Sequence, residues 1–223
     1  MSEPHAVAYG QLRARVCEVV LAVPASALDT EAPATPSWRV HDILAHLVGV
    51  THDVVHGRLD GIASDPWTQA QVDARADVPV AEMLAEWDEH SPQFEAMLGA
   101  APGEIAGQAI FDAATHEHDL RHAVGAPGGR DVDAIALAWD WILDARTRGG
   151  AHCLCFVTEA GEEMSGTGEL IARIEAPRFE LFRAVAGRRT AAEIDQYGWD
   201  ITPKPELILG SEIFTLRAEP LRE

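Results

Sequence analysis

The sequence predicts an α+β protein in which a bundle of helices is followed by a small domain of short strands and helices. Three observations support this fold class. Apolar residues recur at helical spacing through most of the first 146 residues, Gly149 and Gly150 interrupt that pattern, and short alternating segments begin at His152. We therefore expect a helical domain over residues 1–148 and an α+β domain over residues 149–223.

The N-terminal part contains five segments with helical periodicity. The first ends at Pro24, because proline cannot continue a helix, and Gly125 is well placed to stop the fourth. The polar stretch 63–77 has no clear period. The predicted helices span residues 7–23, 40–55, 80–98, 105–124 and 131–146.

The C-terminal part alternates strands and short helices. Two strands, 152–158 and 169–176, are bounded by glycines or acidic turn residues. Pro177 suits the first turn of a helix, which we expect to extend to Gly187. A shorter helix is predicted over 190–196, and the remaining tail is expected to be strand or coil.

Composition and charge exclude several classes of function. The chain is 47% hydrophobic and 24% charged, as in ordinary globular proteins, and no apolar run approaches the ~20 residues of a membrane span. The formal net charge is −19, which repels the phosphates of nucleic acids. We therefore expect neither membrane nor nucleic-acid partners.

The N-terminus and the cysteines indicate the compartment. No basic segment followed by an apolar one opens the chain, so no secretory signal is predicted. Cys17, Cys153 and Cys155 are an odd set, too few for a disulfide framework. We expect a cytoplasmic protein with reduced thiols, in which Cys153 and Cys155 are core residues of a strand rather than a metal-binding pair.

Ten histidines make imidazole chemistry the main question. On the helix over 40–55, turning by roughly 100° per residue places His46 at the border of the apolar stripe. This position can reach the space between packed helices. The histidines that point away from the stripe are His41, His52 and His56.

Asp112 and His116 lie one turn apart beside the apolar stripe of the helix over 105–124. Together with His46 they form a three-ligand set that leaves a metal coordination position open, as in catalytic sites. The alternative is that all three are ordinary border residues bonded to water. His118 and His122 lie on the opposite face, where we interpret them as solvated surface residues.

Three segments resemble a known family. Trp38–Gly49 (WRVHDILAHLVG) and Phe111–Gly125 (FDAATHEHDLRHAVG) resemble the two signature helices of the DinB-like, mycothiol-dependent maleylpyruvate isomerase superfamily. Pro177–Ile194 (PRFELFRAVAGRRTAAEI) resembles the C-terminal domain attached to many members. The resemblance implies a DinB-like bundle with a four-helix core, joined to a sterol-carrier-like α+β domain.

The same resemblance implies a divalent metal, usually zinc. Carried over by motif, the ligands are His46, Asp112 and His116. Asp112 departs from the maleylpyruvate isomerase pattern, in which this ligand is Glu, a side chain longer by one methylene. Asp119 matches the family's acid in this motif, and it could either orient His116 or lie at the surface.

Two residues before the second helix also bear on the motif. Arg39 stands at a cap position where the family commonly has Ser or Thr, while Asp42 would keep half of a capping box. Trp38 could line the cleft or serve only in packing. The departure at Arg39 does not touch the expected ligands.

The activity implied by the resemblance depends on mycothiol as thiol cosubstrate. A metal-bound thiolate would add to a small anionic electrophile, such as a cis-alkene conjugated with carboxylates, and would leave after rotation about the new single bond. The protein would then be an isomerase or an S-transferase. Arg188 and Arg189 of the GRR motif are the preferred residues to bind substrate carboxylates, with Arg183 as a further candidate. Ion pairs with the chain's own acids are the alternative for each arginine.

Two other functional classes stay open at this point. A member without turnover could be a non-catalytic metal- or ligand-binding protein related to stress. A metal-dependent hydrolase using zinc-bound water is the third possibility. Either a monomer or a homodimer is compatible with the sequence.

Overall fold

The computed structural model describes residues 3–211 and 214–221. Packing divides the chain into two compact units, Met1–Gly128 and Gly129–Glu223. The first unit is helical and the second combines helices with a sheet, so the predicted α+β class is confirmed. None of the described helices combines the length and the apolar character that a membrane span requires.

The helices of the first unit lie close to the predicted segments. The unit comprises α1 (Glu3–Ala22), a 3-10 turn (Ala25–Asp29), α2 (Val40–Val55), α3 (Asp65–Asp73), α4 (Val80–Ala100) and α5 (Gly103–Val124). The short helix α3 lies in the segment 63–77, which has no clear period in the sequence.

Helices α1, α2, α4 and α5 pack against one another around a buried polar network. The hydroxyl of Tyr9 lies 2.7 Å from Thr51 Oγ1. The indole N–H of Trp87 donates to both oxygens, at 3.1 Å to Tyr9 and 3.0 Å to Thr51. Burial raises the pKa of Tyr9 to about 12. These bonds fix α1, α2 and α4 in one arrangement.

A buried ion pair joins α1 to α5. Arg15 donates to both carboxylate oxygens of Glu117, at 2.9 and 2.7 Å, and Arg121 Nε adds a bond of 3.0 Å. Only 1% of Glu117 is exposed. This face of α5 is therefore covered, and His118 on the same helix is buried too, with 4% exposure. The interpretation of His118 as a solvated residue is wrong, whereas His122 is half-buried.

Gly49 allows α3 to dock closely on α2. An added Cβ at Gly49 would lie 2.5 Å from Gln71 Cβ and 2.7 Å from Gln71 Cγ, distances that packed atoms do not tolerate. Ser64 caps the N-terminus of α3, where its hydroxyl accepts from the Trp67 amide. The absent side chain at Gly49 thus lets Gln71 reach into the bundle.

The second unit is built on a four-stranded sheet. The elements of the unit are α6 (Asp133–Arg148), β1 (His152–Thr158), β2 (Gly161–Ser165), β3 (Thr167–Glu175), α7 (Arg178–Val185), α8 (Ala191–Ile194), β4 (Gly198–Trp199) and a 3-10 turn (Pro205–Ile208). Strand β1 is antiparallel to β2 and parallel to β3, while β3 is antiparallel to β4, in the order β2-β1-β3-β4.

Gly166 carries the chain from β2, on one side of β1, to β3 on the other. Its φ is 101°, and an added Cβ would lie 2.2 Å from the carbonyl oxygen of His152. Only glycine fits at this crossing. Beside it, Cys153 and Cys155 are buried and not disulfide-bonded, which confirms their prediction as core residues.

Helix α6 packs on β2 and α7 and so belongs to the second compact unit, although the sequence pattern groups it with the preceding helices. Arg146 on α6 is almost fully buried and donates to the carbonyl oxygens of Ile208 and Leu209. Burial lowers the pKa of its guanidinium to about 10. The boundary of an independently folding domain at residue 148 stays a prediction.

Candidate metal centre

His46, Asp112 and His116 meet inside the helical unit. One ligand atom of each lies within 4.8 Å of the other two. The carboxylate of Asp112 lies between the imidazoles, with Oδ2 at 3.3 Å from His46 Nε2 and Oδ1 at 3.7 Å from His116 Nε2. The structure therefore brings together all three residues expected from the sequence, and their role as metal ligands stays a prediction.

The imidazole of His46 is oriented by Gln71 of α3. His46 is 2% exposed, and its Nδ1–H donates to Gln71 Oε1 at 2.9 Å. The amide of Gln71 in turn donates to Asp53 Oδ2 at 2.9 Å, which fixes the orientation of the amide. The other ring nitrogen, Nε2, lies 3.3 Å from Asp112 Oδ2 and is the atom available to a metal ion.

His116 is backed by Asp119 on the same helix. Asp119 is fully buried, and its Oδ2 lies 3.3 Å from His116 Nδ1. The contact is an electrostatic one, because Nδ1 has no partner with hydrogen-bond geometry among the described residues, and Nε2 of the same ring faces Asp112. Of the two roles left open for Asp119, the structure supports orientation of His116 and contradicts a surface position.

Trp38 forms one wall of the site. Its ring centroid lies 5.4 Å from that of His46 and 5.7 Å from that of His116. The preceding loop is closed by a hydrogen bond of 2.8 Å from the Ala32 amide to the Trp38 carbonyl oxygen, and Ser37 has a left-handed φ of 80°. Trp38 therefore lines the site, as one of its two expected roles requires.

The start of α2 carries half of a capping box, as expected. The backbone N–H of Arg39 donates to Asp42 Oδ2 at 2.8 Å, and the Arg39 guanidinium binds the same carboxylate. Burial alone would raise the pKa of Asp42, but the bonds from Arg39 outweigh it and lower the value. A guanidinium has no acceptor, so the other half of the box is not formed.

The donor set fits a divalent transition metal. It combines two imidazole nitrogens with one carboxylate oxygen, a combination that suits Zn²⁺ and leaves a coordination position for an exogenous ligand. The Asp112 side chain is 37% exposed, so one side of the site opens to solvent. Solvent therefore reaches the site on the side of the Asp112 carboxylate.

A sequence model of the family described as "Mycothiol maleylpyruvate isomerase N-terminal domain" matches residues 9–118. Residues 9–118 are thus similar to this domain family. All three candidate ligands lie inside the matched region, whereas Asp119 lies one residue beyond it. No match was found among curated proteins.

Two crystal structures share the fold over most of the chain. One is the mycothiol-dependent maleylpyruvate isomerase, with a TM-score of 0.60, 12% identity, and coverage of 92% of this chain and 95% of that chain. The other is a histidine-to-alanine mutant of the mycothiol-dependent maleylpyruvate isomerase, with a TM-score of 0.63, 11% identity and the same coverage. At this identity the likeness shows the fold alone.

The arginines expected to bind substrate lie outside the matched domain, in the second unit. Arg189 is 3% exposed, and its Nε donates to Glu180 Oε2 at 2.7 Å. Arg188 is half-buried and donates to the Ala186 carbonyl oxygen at 2.7 Å, whereas Arg183 is fully buried. Arg189 thus forms the ion pair that was its alternative role. The catalytic role of Arg188 and Arg189 stays a prediction.

The pattern of the sequence did not identify Gln71 as part of the site. It lies in the polar stretch without a clear period, and its burial depends on the docking of α3 at Gly49. The sequence pattern also assigned no role to His52 and His56, which are at positions i and i+4 at the end of α2 and so share one helix face.

Proposed function

We propose that this protein is an enzyme of the mycothiol-dependent maleylpyruvate isomerase kind. It would use a divalent metal, preferably zinc, and a small thiol, and act as an isomerase or S-transferase on a small anionic electrophile. The convergence of His46, Asp112 and His116 within this domain family, with each imidazole turned inward by a buried partner, is the observation that carries the proposal.

The three residues would hold the metal, and each has a defined task. His46 and His116 offer Nε2, because Gln71 and Asp119 face their other ring nitrogens. Asp112 contributes a negative charge at the open side. A divalent ion held by these residues would lower the pKa of a coordinating thiol, which would lose its proton to water and be a thiolate at neutral pH.

The reaction then requires little covalent chemistry from the chain itself. A thiolate that adds to an alkene conjugated with a carbonyl forms a C–S bond, and the π electrons move onto the conjugated group. The former double bond rotates, and expulsion of the thiolate restores it in the trans form. Trp38 beside both imidazoles gives the reacting atoms an apolar wall that excludes water from one side.

Substrate carboxylates need cationic partners, because the chain as a whole carries a net charge of −19. Arg188 and Arg189 are our candidates, and a carboxylate would compete with Glu180 for Arg189. This competition makes substitution of Arg188 the cleaner test. A guanidinium fork binds a carboxylate through two parallel hydrogen bonds.

The experiment is a thiol titration followed by a turnover assay. Zinc-loaded protein should bind mycothiol saturably in calorimetry and convert maleylpyruvate only when the thiol is present. His46→Ala should abolish both, whereas His122→Ala, on the half-buried last turn of α5, should abolish neither. If zinc-loaded protein neither binds mycothiol nor turns over any of a panel of electrophiles, the proposed enzyme activity is refuted and the non-catalytic metal-binding alternative is left.

A further inference from the structure

A second cluster of histidines lies where α2 faces α4, and the proposed reaction does not use it. The rings of His52 and His56 are stacked with centroids 4.2 Å apart and planes inclined by 23°. His90 meets both edge-on, at 5.2 and 5.0 Å. One ring nitrogen of each residue lies within 4.8 Å of the other two. We call these residues the His52 cluster.

Two of the three imidazoles have one ring nitrogen against an oxygen atom, a backbone carbonyl for His56 and a carboxylate for His52. The Nδ1–H of His56 donates to the carbonyl oxygen of His52 at 2.8 Å, so its Nε2 bears the lone pair. His52 Nδ1 lies 2.9 Å from Glu86 Oε1, an ion-pair contact without hydrogen-bond geometry. Histidine ligands of metals characteristically present one nitrogen in this way while the other contacts a carbonyl or a carboxylate.

Glu86 is itself fixed, so it can hold His52 in place. Arg75, two residues beyond the end of α3, donates to both oxygens of Glu86, with Nε at 3.0 Å from Oε2. These two bonds from one guanidinium hold the carboxyl group of Glu86 in a single orientation beside His52.

The cluster is separate from the candidate metal centre and is open to ions. His52 follows His46 by six residues on α2, a rise of about 9 Å along the helix. His56 is exposed, and His52 and His90 are half-buried. An ion in solution can therefore reach the cluster without passing through the bundle.

From these contacts we infer that His52, His56 and His90 form a second divalent-metal site. Its three neutral nitrogen donors select cations such as Zn²⁺, Ni²⁺ or Cu²⁺ over Mg²⁺ and Ca²⁺, which prefer oxygen. Because the ligands come from α2 and α4, a bound ion links the two helices and stabilises the bundle. This site does not depend on the proposed thiol chemistry.

The test is zinc stoichiometry of the full chain after removal of metals by a chelator. Protein dialysed against Zn²⁺ alone and assayed by elemental analysis should hold two ions per chain. His56→Ala, His90→Ala and His46→Ala should each hold one, and the double variant His46→Ala with His56→Ala should hold none. His122→Ala serves as the matched control and should keep two.

Two further readouts separate this inference from the proposed function. His56→Ala should keep mycothiol binding, and it changes an exposed residue, so the variant should fold normally, as circular dichroism can verify. The zinc ion that His56→Ala does not bind should also stabilise the wild type, so that its binding raises the melting temperature of the wild-type protein. Unchanged zinc content in both His56→Ala and His90→Ala would overturn the second site, whatever the outcome of the thiol assays.

Discussion

Replacing Gln71 by methionine tests whether α3 orients the metal ligand His46. Methionine has a similar length but lacks the amide that accepts from His46 and donates to Asp53. Loss of an outer partner of a histidine ligand characteristically costs about 10–100-fold in metal affinity. Since each factor of ten is about 1.4 kcal/mol, zinc binding should weaken by about 1.4–2.8 kcal/mol.

The same substitution should also destabilise the metal-free protein. His46 is 2% exposed, so its N–H would have no acceptor in a buried site. A buried donor without a partner costs about 1–3 kcal/mol. Urea unfolding of metal-free protein measures this term, and competition with a fluorescent chelator measures the zinc affinity.

Gln69→Met is the matched control, because it makes the same chemical change on the same helix. Gln69 is exposed and bonds only to Asp73 among the contacts described for it, at 2.8 Å. Its loss should change stability by less than about 0.5 kcal/mol and leave zinc affinity unchanged. If Gln71→Met binds zinc as tightly as the wild type, while His46→Ala does not, Gln71 does not orient the ligand.

Three other substitutions, two of them paired with a control variant, test the packing and the substrate site. Gly49→Ala should lower the free energy of unfolding by about 1–3 kcal/mol and weaken zinc binding, because its Cβ would overlap Gln71. Gly99→Ala, whose Cβ would meet Ala6 Cβ at 3.7 Å, should be neutral or stabilising by up to ~1 kcal/mol; equal losses in urea melts would contradict the docking argument. Arg15→Met should lower the free energy of unfolding by about 1–3 kcal/mol, because it deprives buried Glu117 of a bidentate partner. Arg13→Met breaks a pair with exposed Asp88 and should lower it by at most about 1 kcal/mol, and the reverse order would refute the stated role of burial. Arg188→Ala should raise KM for a carboxylate substrate about tenfold or more without changing mycothiol affinity, and an unchanged KM in steady-state assays would remove Arg188 from the site.

The sequence pattern was sufficient to place the three candidate ligands beside the apolar stripes of two helices, whereas the family resemblance is what implied their role, which stays a prediction. His46, Asp112 and His116 lie on long helices with strong apolar stripes, so a turn of about 100° per residue placed them correctly. The residues behind them were harder to predict. Gln71 lies on α3, which is docked by its neighbours rather than specified by periodicity, and His118 is buried by tertiary packing that a single helix pattern does not reveal.

Strand β2 shows the same limitation in the second unit. Its sequence, Gly161–Ser165, reads GEEMS and has no alternation of apolar residues, because it is an edge strand that pairs only with β1 in the described sheet. The neighbouring β1 is buried along most of its length and was predicted with its observed bounds. Apolar patterning therefore identified the central strand and missed its edge partner.

The docking of α3 at Gly49 has a thermodynamic consequence for both histidine clusters. With nine residues, α3 is shorter than the ~12–15 residues at which an isolated helix becomes marginally stable, so its order depends on its neighbours. Gln71 contacts the ring of His46 in the candidate metal centre. Arg75, just after the helix, holds the carboxylate of Glu86 beside the His52 cluster. A cation at either cluster would favour the docked helix and share the entropic cost of ordering it with a cation at the other. The two affinities are then linked through one short segment, and the exchange rates of the α3 amide hydrogens report the strength of that linkage.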